Sequence, residues 1–357
     1  MSIWQWNRFG LTNSCLITLG EGNSPLLRSR SIGPQLGIKD LFFKLETTNP
    51  TGSYKDRFAA SAVAHMLSHS QTRCVATSSG NTGSALAAYC AAASVKCYIA
   101  VVESAPQPKL RQMMAYGAHI FRIQGFGLDP VVSERAFDEL RKFSDHEDAA
   151  LQVSSYTHSP LGMQGVTSLS HELAEQLPGA DHLFAPAGGG GLCVALAEGY
   201  QQVSEQRRVP IPAIHCVQPE GNDTIATPLR LGWEQARDVE CKTQISGLQV
   251  PNVIDGNLVI QSCRPTGGTG HAVTDESIWQ AQRMLAREEG VFCEPAAATS
   301  LAGAIAALEN GSIRQDASVV CLITGTGFKD EASIDRLNRD QDCPLIPLED
   351  LATVLDD

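Results

Sequence analysis

The chain is short of positive charge: 27 Lys and Arg face 39 Asp and Glu, a formal net charge of −12 over 357 residues. A surface that grips nucleic-acid phosphates needs clustered Lys and Arg, so this balance argues against nucleic acid as a partner. No run of 18 or more apolar residues occurs, and no membrane-spanning helix is expected. The opening MSIWQWNRFG lacks the basic-then-apolar order of a secretion signal. The eleven cysteines contain no CxxC pair, and the nine histidines show neither HxH nor HExxH spacing. No catalytic zinc or other metal is therefore expected. Without a secretion signal the thiols default to the reduced form. Cys90, Cys193 and Cys321, set within apolar runs, read as small hydrophobes. Internal repeats and low-complexity linkers are missing too. A cytoplasmic enzyme fits these bounds.

What is present is an ordinary globular balance, 43% hydrophobic and 18% charged, in a length that suits two domains or lobes. From residue 74, short β-like runs alternate with helical stretches. CVAT (74–77), KCYIAVV (96–102), HIFRI (119–123), HLFAPA (182–187), AIHCVQ (213–218) and SVVCLIT (318–324) read as strands. Residues 81–94, 106–117, about 130–143, about 192–202, 274–290 and 295–308 read as helices, with Thr274 as a start signal and Gly117 and Gly290 as stops. This alternation predicts a mostly parallel sheet covered by helices on both faces. Ligands in such folds bind where strand C-termini meet helix N-termini. The last stretch, about 331–357, is acidic and expected to be peripheral.

Several glycine-rich turns fall at those ligand-facing ends. APAGGGGLCVALAEG (185–199) follows a strand and opens a helix, so the N–H groups of Gly188, Gly189, Gly190 and Gly191 converge beside a positive helix end. That is a cradle for a phosphate; a close-packed turn explains one or two glycines more easily than four. Neither GKS/GKT nor GxGxxG is present, which argues against a nucleotide triphosphate or a dinucleotide. TSSGNTGSALAAY (77–89) places Ser78, Ser79, Asn81 and Thr82 at a second turn. One such residue would be ordinary capping; four with two glycines suit a carboxylate ligand. LITGTGFKD (322–330) puts Thr324 at the tip of the last strand. In ETTNPTGSYKDR (46–57), Lys55 stands directly behind Pro50, Gly52 and Ser53, where a loop turns into a helix. Read alone, it is a solvated lysine behind a cap. Beside a phosphate cradle and a carboxylate loop, it suggests an amine that forms a Schiff base with a phosphorylated aldehyde, pyridoxal phosphate.

NPTGSYKDR, SSGNTG, the glycine-rich loop and LITGTGFKD occur in the order seen in fold-type II pyridoxal-phosphate enzymes, the tryptophan synthase β-like superfamily. The resemblance covers roughly residues 18–330. LGEGNSPLL (19–27) and FFKLETTNPTGSYKDRFAASA (42–62) look most like threonine synthase. The resemblance implies two open twisted α/β sheets flanked by helices, with the cofactor in the cleft between two domains. The smaller, mobile domain would span 60–158, the larger 1–59 and 159–345, and 346–357 would form an acidic tail. It implies Lys55 as the Schiff-base lysine, Asn81 on the ring hydroxyl, Gly188 to Gly191 on the phosphate and Thr324 at the pyridine nitrogen. Ser78, Ser79 and Thr82 would receive the substrate carboxylate, and the role of Glu294 stays open. A homodimer acting on an amino acid is implied as well.

Two features depart from threonine synthase. Its motif for the substrate's own phosphate carries an arginine, whereas SSYTHSPLGMQG (154–165) offers Ser154, Ser155 and His158 but no arginine, a real loss at a phosphate site. The GGGGL loop looks more like that of threonine or serine dehydratases and serine racemases. Arg111, in PKLRQMM, is a possible cation, though helix residues of that kind are more often solvated. Threonine/serine dehydration and β-replacement therefore stand as alternatives, with a non-catalytic amino-acid binder as a remote one. Thr324, where dehydratases usually end in serine, tilts the reading to threonine synthase.

Overall fold

The computed structural model describes residues 2–6, 10–105 and 107–356. Ten strands form two sheets: β1 (Leu26–Arg28), β2 (Asp40–Leu45), β3 (Arg73–Ala76), β4 (Lys96–Val101), β5 (His119–Arg122), β6 (Ala149–Gln152), β7 (His182–Pro186), β8 (Ala213–Pro219), β9 (Gly270–Val273) and β10 (Ser318–Ile323). One sheet has the order β1-β2-β10-β7-β8-β9 and the other β5-β4-β3-β6. Every neighbouring pair is parallel except β1 with β2.

β10 shows why the larger sheet needs helices on both faces. Its residues run SVVCLI, and from Val319 to Ile323 all are buried. Val320 and Leu322 join the core under the helices Lys55–Ser68, Pro160–Gln176 and Gly191–Arg207, while Val319, Cys321 and Ile323 join the core under Asp275–Glu288 and Pro295–Glu309. Alternating side chains of one central strand thus feed two apolar layers. Helix ends follow local chemistry. Asp129 caps the Pro130–Phe143 helix by accepting from Val131 N at 2.8 Å, and Thr274 Oγ1 accepts from Ser277 N at 3.1 Å.

The six strands read from the sequence are all present within a residue or two of the expected ends. The helix expected over 106–117 runs Gln107–Ala115, and its expected first residue, Pro106, lies outside the described residues. The helix expected to end near 202 continues to Arg207. β1, β2, β6 and β9 went unread; three of them have only three or four residues, too short to show a period. The terminal stretch contains the short helix Leu351–Asp356. Among the described residues no helix is long and apolar enough to cross a membrane.

Candidate active site

The segment 46–57 leaves β2 and turns into the Lys55–Ser68 helix. Gly52 sits at φ +88°, and a Cβ there would lie 2.7 Å from Thr326 Cγ2, so the turn requires glycine. Tyr54 N donates to Thr324 O at 3.0 Å and Thr326 N donates to Gly52 O at 2.9 Å, which stitches the turn to the end of β10. Asp56 accepts from Thr51 N at 3.0 Å and Thr51 Oγ1 at 2.7 Å. Ser53 Oγ accepts from Lys55 N at 3.3 Å, while Tyr54 takes the cap position.

Behind the turn lies a buried charge cluster. Arg57 Nε and Nη2 donate to Glu46 at 2.7 and 2.8 Å, Nη2 also donates to Glu172 at 2.8 Å, and Nη1 donates to Ser168 Oγ at 3.0 Å. Lys44 pairs with Glu172 and donates to Ser24 O at 2.7 Å. Burial alone would raise the Glu46 carboxyl, but the Arg57 guanidinium overrides it and holds the group well below its usual range. This fork fixes the first turn of the helix and with it the root of Lys55.

Lys55, Asn81, Gly188 to Gly191, Thr324, Ser78, Ser79, Thr82, Ser154 and Ser155 all line one cleft of about 500 Å³ where the two sheets' strand ends meet. Lys55 Nζ donates to Tyr54 Oη at 2.6 Å and Ser154 Oγ at 2.7 Å. Burial pushes its amine down to about 8, against the opposing pull of Asp255 and Glu294. Gly188 to Gly191 link β7 to the Gly191–Arg207 helix. Gly190 sits at φ +99°, where a Cβ would lie 2.5 Å from Val259 Cγ2. The four glycine N–H groups donate to no acceptor among the described residues. Asp255 ties this turn to the Ser154–Ser155 loop: its N donates to Gly189 O at 3.0 Å, and its carboxylate accepts from Tyr156 N at 2.8 Å and Thr157 N at 3.0 Å. Ser155 Oγ is buried without a hydrogen-bond partner.

Across the cleft, Asn81 Nδ2 donates to Glu294 Oε1 at 2.8 Å. Burial raises the Glu294 carboxyl to about 7, opposed by the Asn81 bond and by Lys329 and Lys109. Ser78, Ser79 and Thr82 stand at the mouth beside Asn81, and Thr324 follows β10 at the floor. His158 is not among the lining residues and packs tilted against Phe137, at 5.1 Å between centroids and 58° between planes. Arg111 is exposed and pairs with Glu331 at 3.5 Å.

The cleft also holds groups the sequence reading did not select. Lys109 donates to Ser246 Oγ and lies 3.8 Å from Asp330, and Lys329 Nζ donates to Gln112 Oε1 at 2.5 Å. Both lysines line the cleft. Lys109 belongs to the same PKLRQMM helix as Arg111, and Lys329 to GFKD, so both stood inside quoted motifs. Asp255 carried no comparable signal.

Residues 17–325 match the pyridoxal-phosphate dependent enzyme family. The chain is 32% identical over 327 residues to threonine synthase of Methanocaldococcus jannaschii, covering 89% of this chain and 77% of that one. It is also 32% identical over 317 residues to threonine synthase of Halalkalibacterium halodurans, covering 88% and 85%. In fold it is similar to the processed form of threonine deaminase isoform 2 from Solanum lycopersicum, with TM-score 0.72, 20% identity, and 90% and 88% of the two chains covered. A lysine in a buried cleft, facing a phosphate-sized turn of free N–H groups, agrees with these matches, and the chain belongs to the pyridoxal-phosphate dependent enzyme family.

Proposed function

We propose that this chain is a threonine synthase: it releases phosphate from O-phosphohomoserine and adds water to give L-threonine. The observation that carries the reading is the pair Lys109 and Lys329, lining the same cleft as Lys55. They supply the cationic charge that a phosphorylated substrate needs and that the loop 154–165 lacks. The 32% identity to threonine synthases along most of the chain supports the same choice.

The residues present fit pyridoxal phosphate. The unpartnered N–H groups of Gly188 to Gly191 sit at a helix N-terminus and suit a phosphate dianion. Lys55 presents a half-buried amine for the aldehyde. Asn81 uses one amide hydrogen on Glu294 and keeps a second for the ring hydroxyl. Thr324 would offer a hydroxyl, not a carboxylate, to the ring nitrogen, a setting that would favour elimination and replacement over transamination. When bound, the cofactor supplies an electron sink that makes the substrate Cα–H acidic.

The chain's own groups then divide the work. Ser78, Ser79 and Thr82 hold the substrate carboxylate, and Ser154 and Ser155 hold its far end. Lys55 Nζ, poised near neutrality by burial, takes protons from Cα and Cβ and delivers protons to Cγ and, at the end, to Cα. Lys109 and Lys329 stabilise the phosphate as its bond to Cγ breaks, and the oxygen of water ends on Cβ. Closure of residues 60–158, which carry β3 to β6, over 1–59 and 159–345 would exclude bulk water. A cytoplasmic homodimer completes the proposal; light scattering reads the dimer directly.

The test pairs two assays on purified protein supplied with pyridoxal phosphate. O-phosphohomoserine should yield equal amounts of phosphate and threonine, while threonine and serine yield little 2-oxo acid. Deamination of threonine or serine with no turnover of O-phosphohomoserine overturns the assignment and makes the chain a dehydratase. A protein that takes up no cofactor at all is a binder rather than an enzyme.

A further inference from the structure

We propose that Cys74, Cys90 and Cys97 form a three-sulfur site for a soft divalent cation, of which Cd(II) is the probe. Cys74 on β3 and Cys97 on β4 are register partners across a parallel pair, and Cys90, on the helix Asn81–Ala92, completes the trio. The three Sγ atoms all lie within 4.8 Å of one another. Three sulfurs each about 2.3 Å from a central ion stand about 4.0 Å apart, so the trio needs only a small contraction to close on one. Among the described residues this is the one group of His, Cys, Asp or Glu side chains placed so closely. The site lies within the apolar core, with Ala87 and Tyr89 beside it in sequence, and all-thiolate surroundings of this kind select soft ions over hard ones.

A divalent ion binding there displaces the protons of the thiols it takes and leaves a complex of net charge −1. A cavity of about 210 Å³ lined by Ser94, Lys96, Tyr116 and His119 also touches two of the three, Cys90 and Cys97. The second cysteine group, Cys193 with Cys216 and Cys263, is not gathered within the same span and serves as the internal control.

The experiment uses the full chain with its cofactor, phosphine-reduced, with the more accessible Cys15, Cys241 and Cys343 replaced by serine. Titration with Cd(II) is followed by sulfur-to-metal charge-transfer absorption and by cadmium NMR. The expected result is one ion per chain and a chemical shift typical of three sulfur ligands. Cys74→Ser, Cys90→Ser and Cys97→Ser should each weaken binding by more than the roughly 10–100-fold that outer-sphere changes cost, while Cys193→Ser leaves it intact. Absence of stoichiometric binding, binding that survives Cys97→Ser, or a shift typical of fewer than three sulfurs overturns the proposal. The stoichiometry and shift come from the unaltered trio, so they decide the matter even if a serine variant fails to fold.

Discussion

Two groups of charged and polar residues lie back to back across the first turn of the Lys55–Ser68 helix, and they are built on opposite rules. Behind it, Arg57, Glu46, Glu172 and Lys44 are wholly buried, and every charge has an opposite partner or a hydrogen bond. In front, Lys55 carries a depressed amine, Glu294 a raised carboxyl, Ser155 a hydroxyl without a partner, and four glycine N–H groups have no acceptor. Satisfied buried charge holds a backbone in one place, whereas unsatisfied polar groups are ready for a ligand. Two residues, from Lys55 to Arg57, separate the reactive side from the scaffold.

Breaking the front of this pair should cost the most. Lys55→Ala removes the amine that moves protons, and turnover of O-phosphohomoserine should fall by about 10³-fold or more. Its thermal stability should hold or rise, because a buried cation has been removed. Steady-state kinetics beside a thermal melt reads both; a large loss of stability with modest loss of turnover would place Lys55 in the scaffold. Breaking the back should do the reverse. Arg57→Met strands Glu46 in the interior and leaves Glu172 to Lys44 alone, a cost of about 3–5 kcal/mol in urea unfolding. The fourfold replacement of Arg57, Glu46, Glu172 and Lys44 by apolar residues of similar size should recover much of that, because no unpaired charge is left.

The same contrast explains what could be read in the sequence. β10 and β7 were visible because a strand buried on both faces is a continuous apolar run, and the glycine turns because few folds need four glycines in a row. The Arg57 cluster was not visible. KDR at a helix start looks solvated, and the partners of Arg57 come from positions 46 and 172, which only tertiary structure brings together. Lys109 went unread beside Arg111, whose solvated reading held, for a local reason: two residues along a helix is about 200° around it, so one faces the cleft while the other faces water. The cysteine trio depended on a strand register that composition cannot supply.

A third polar file tests whether buried groups far from the cleft obey the scaffold rule. His182, His215 and His271 link β7, β8 and β9 through ring nitrogens at 3.0 Å each, with Phe184 stacked on His215 at 4.4 Å. Burial first, then neighbouring imidazoles, pushes His215 down to about 2; burial, Arg230 and His182 push His271 down to about 4. These folded values lie below the unfolded value of about 6.5, so the unfolded chain binds more protons as the medium acidifies. The stabilisation is present above about pH 6.5 and is lost as pH falls toward 4; for His271 the loss is about 3 kcal/mol. Urea melts at pH 7 and pH 4.5 should show the drop, and His271→Gln should flatten it. An unchanged slope in that variant would assign the acid sensitivity to other groups.

The smallest effect returns to the cleft and separates the two rules most finely. Ser155 Oγ is buried and unpartnered in the free chain, so it contributes a desolvation cost and no compensating bond. Ser155→Ala should leave stability unchanged or raise it by up to about 1 kcal/mol. If the hydroxyl belongs to the ligand, the same change should raise KM for O-phosphohomoserine by about 10-fold, the value of one hydrogen bond, with kcat affected less. Ser159, close by in the chain, makes the control. Its Oγ accepts from Val153 N at 3.0 Å within the same loop, so Ser159→Ala should lower stability and leave KM nearly unchanged. Two serines four residues apart would then respond in opposite directions, and the sign of each stability change follows from whether its oxygen already has a partner. A Ser155→Ala variant that melts lower with unaltered KM would put that hydroxyl on the scaffold side and move the boundary of the site away from the 154–155 loop.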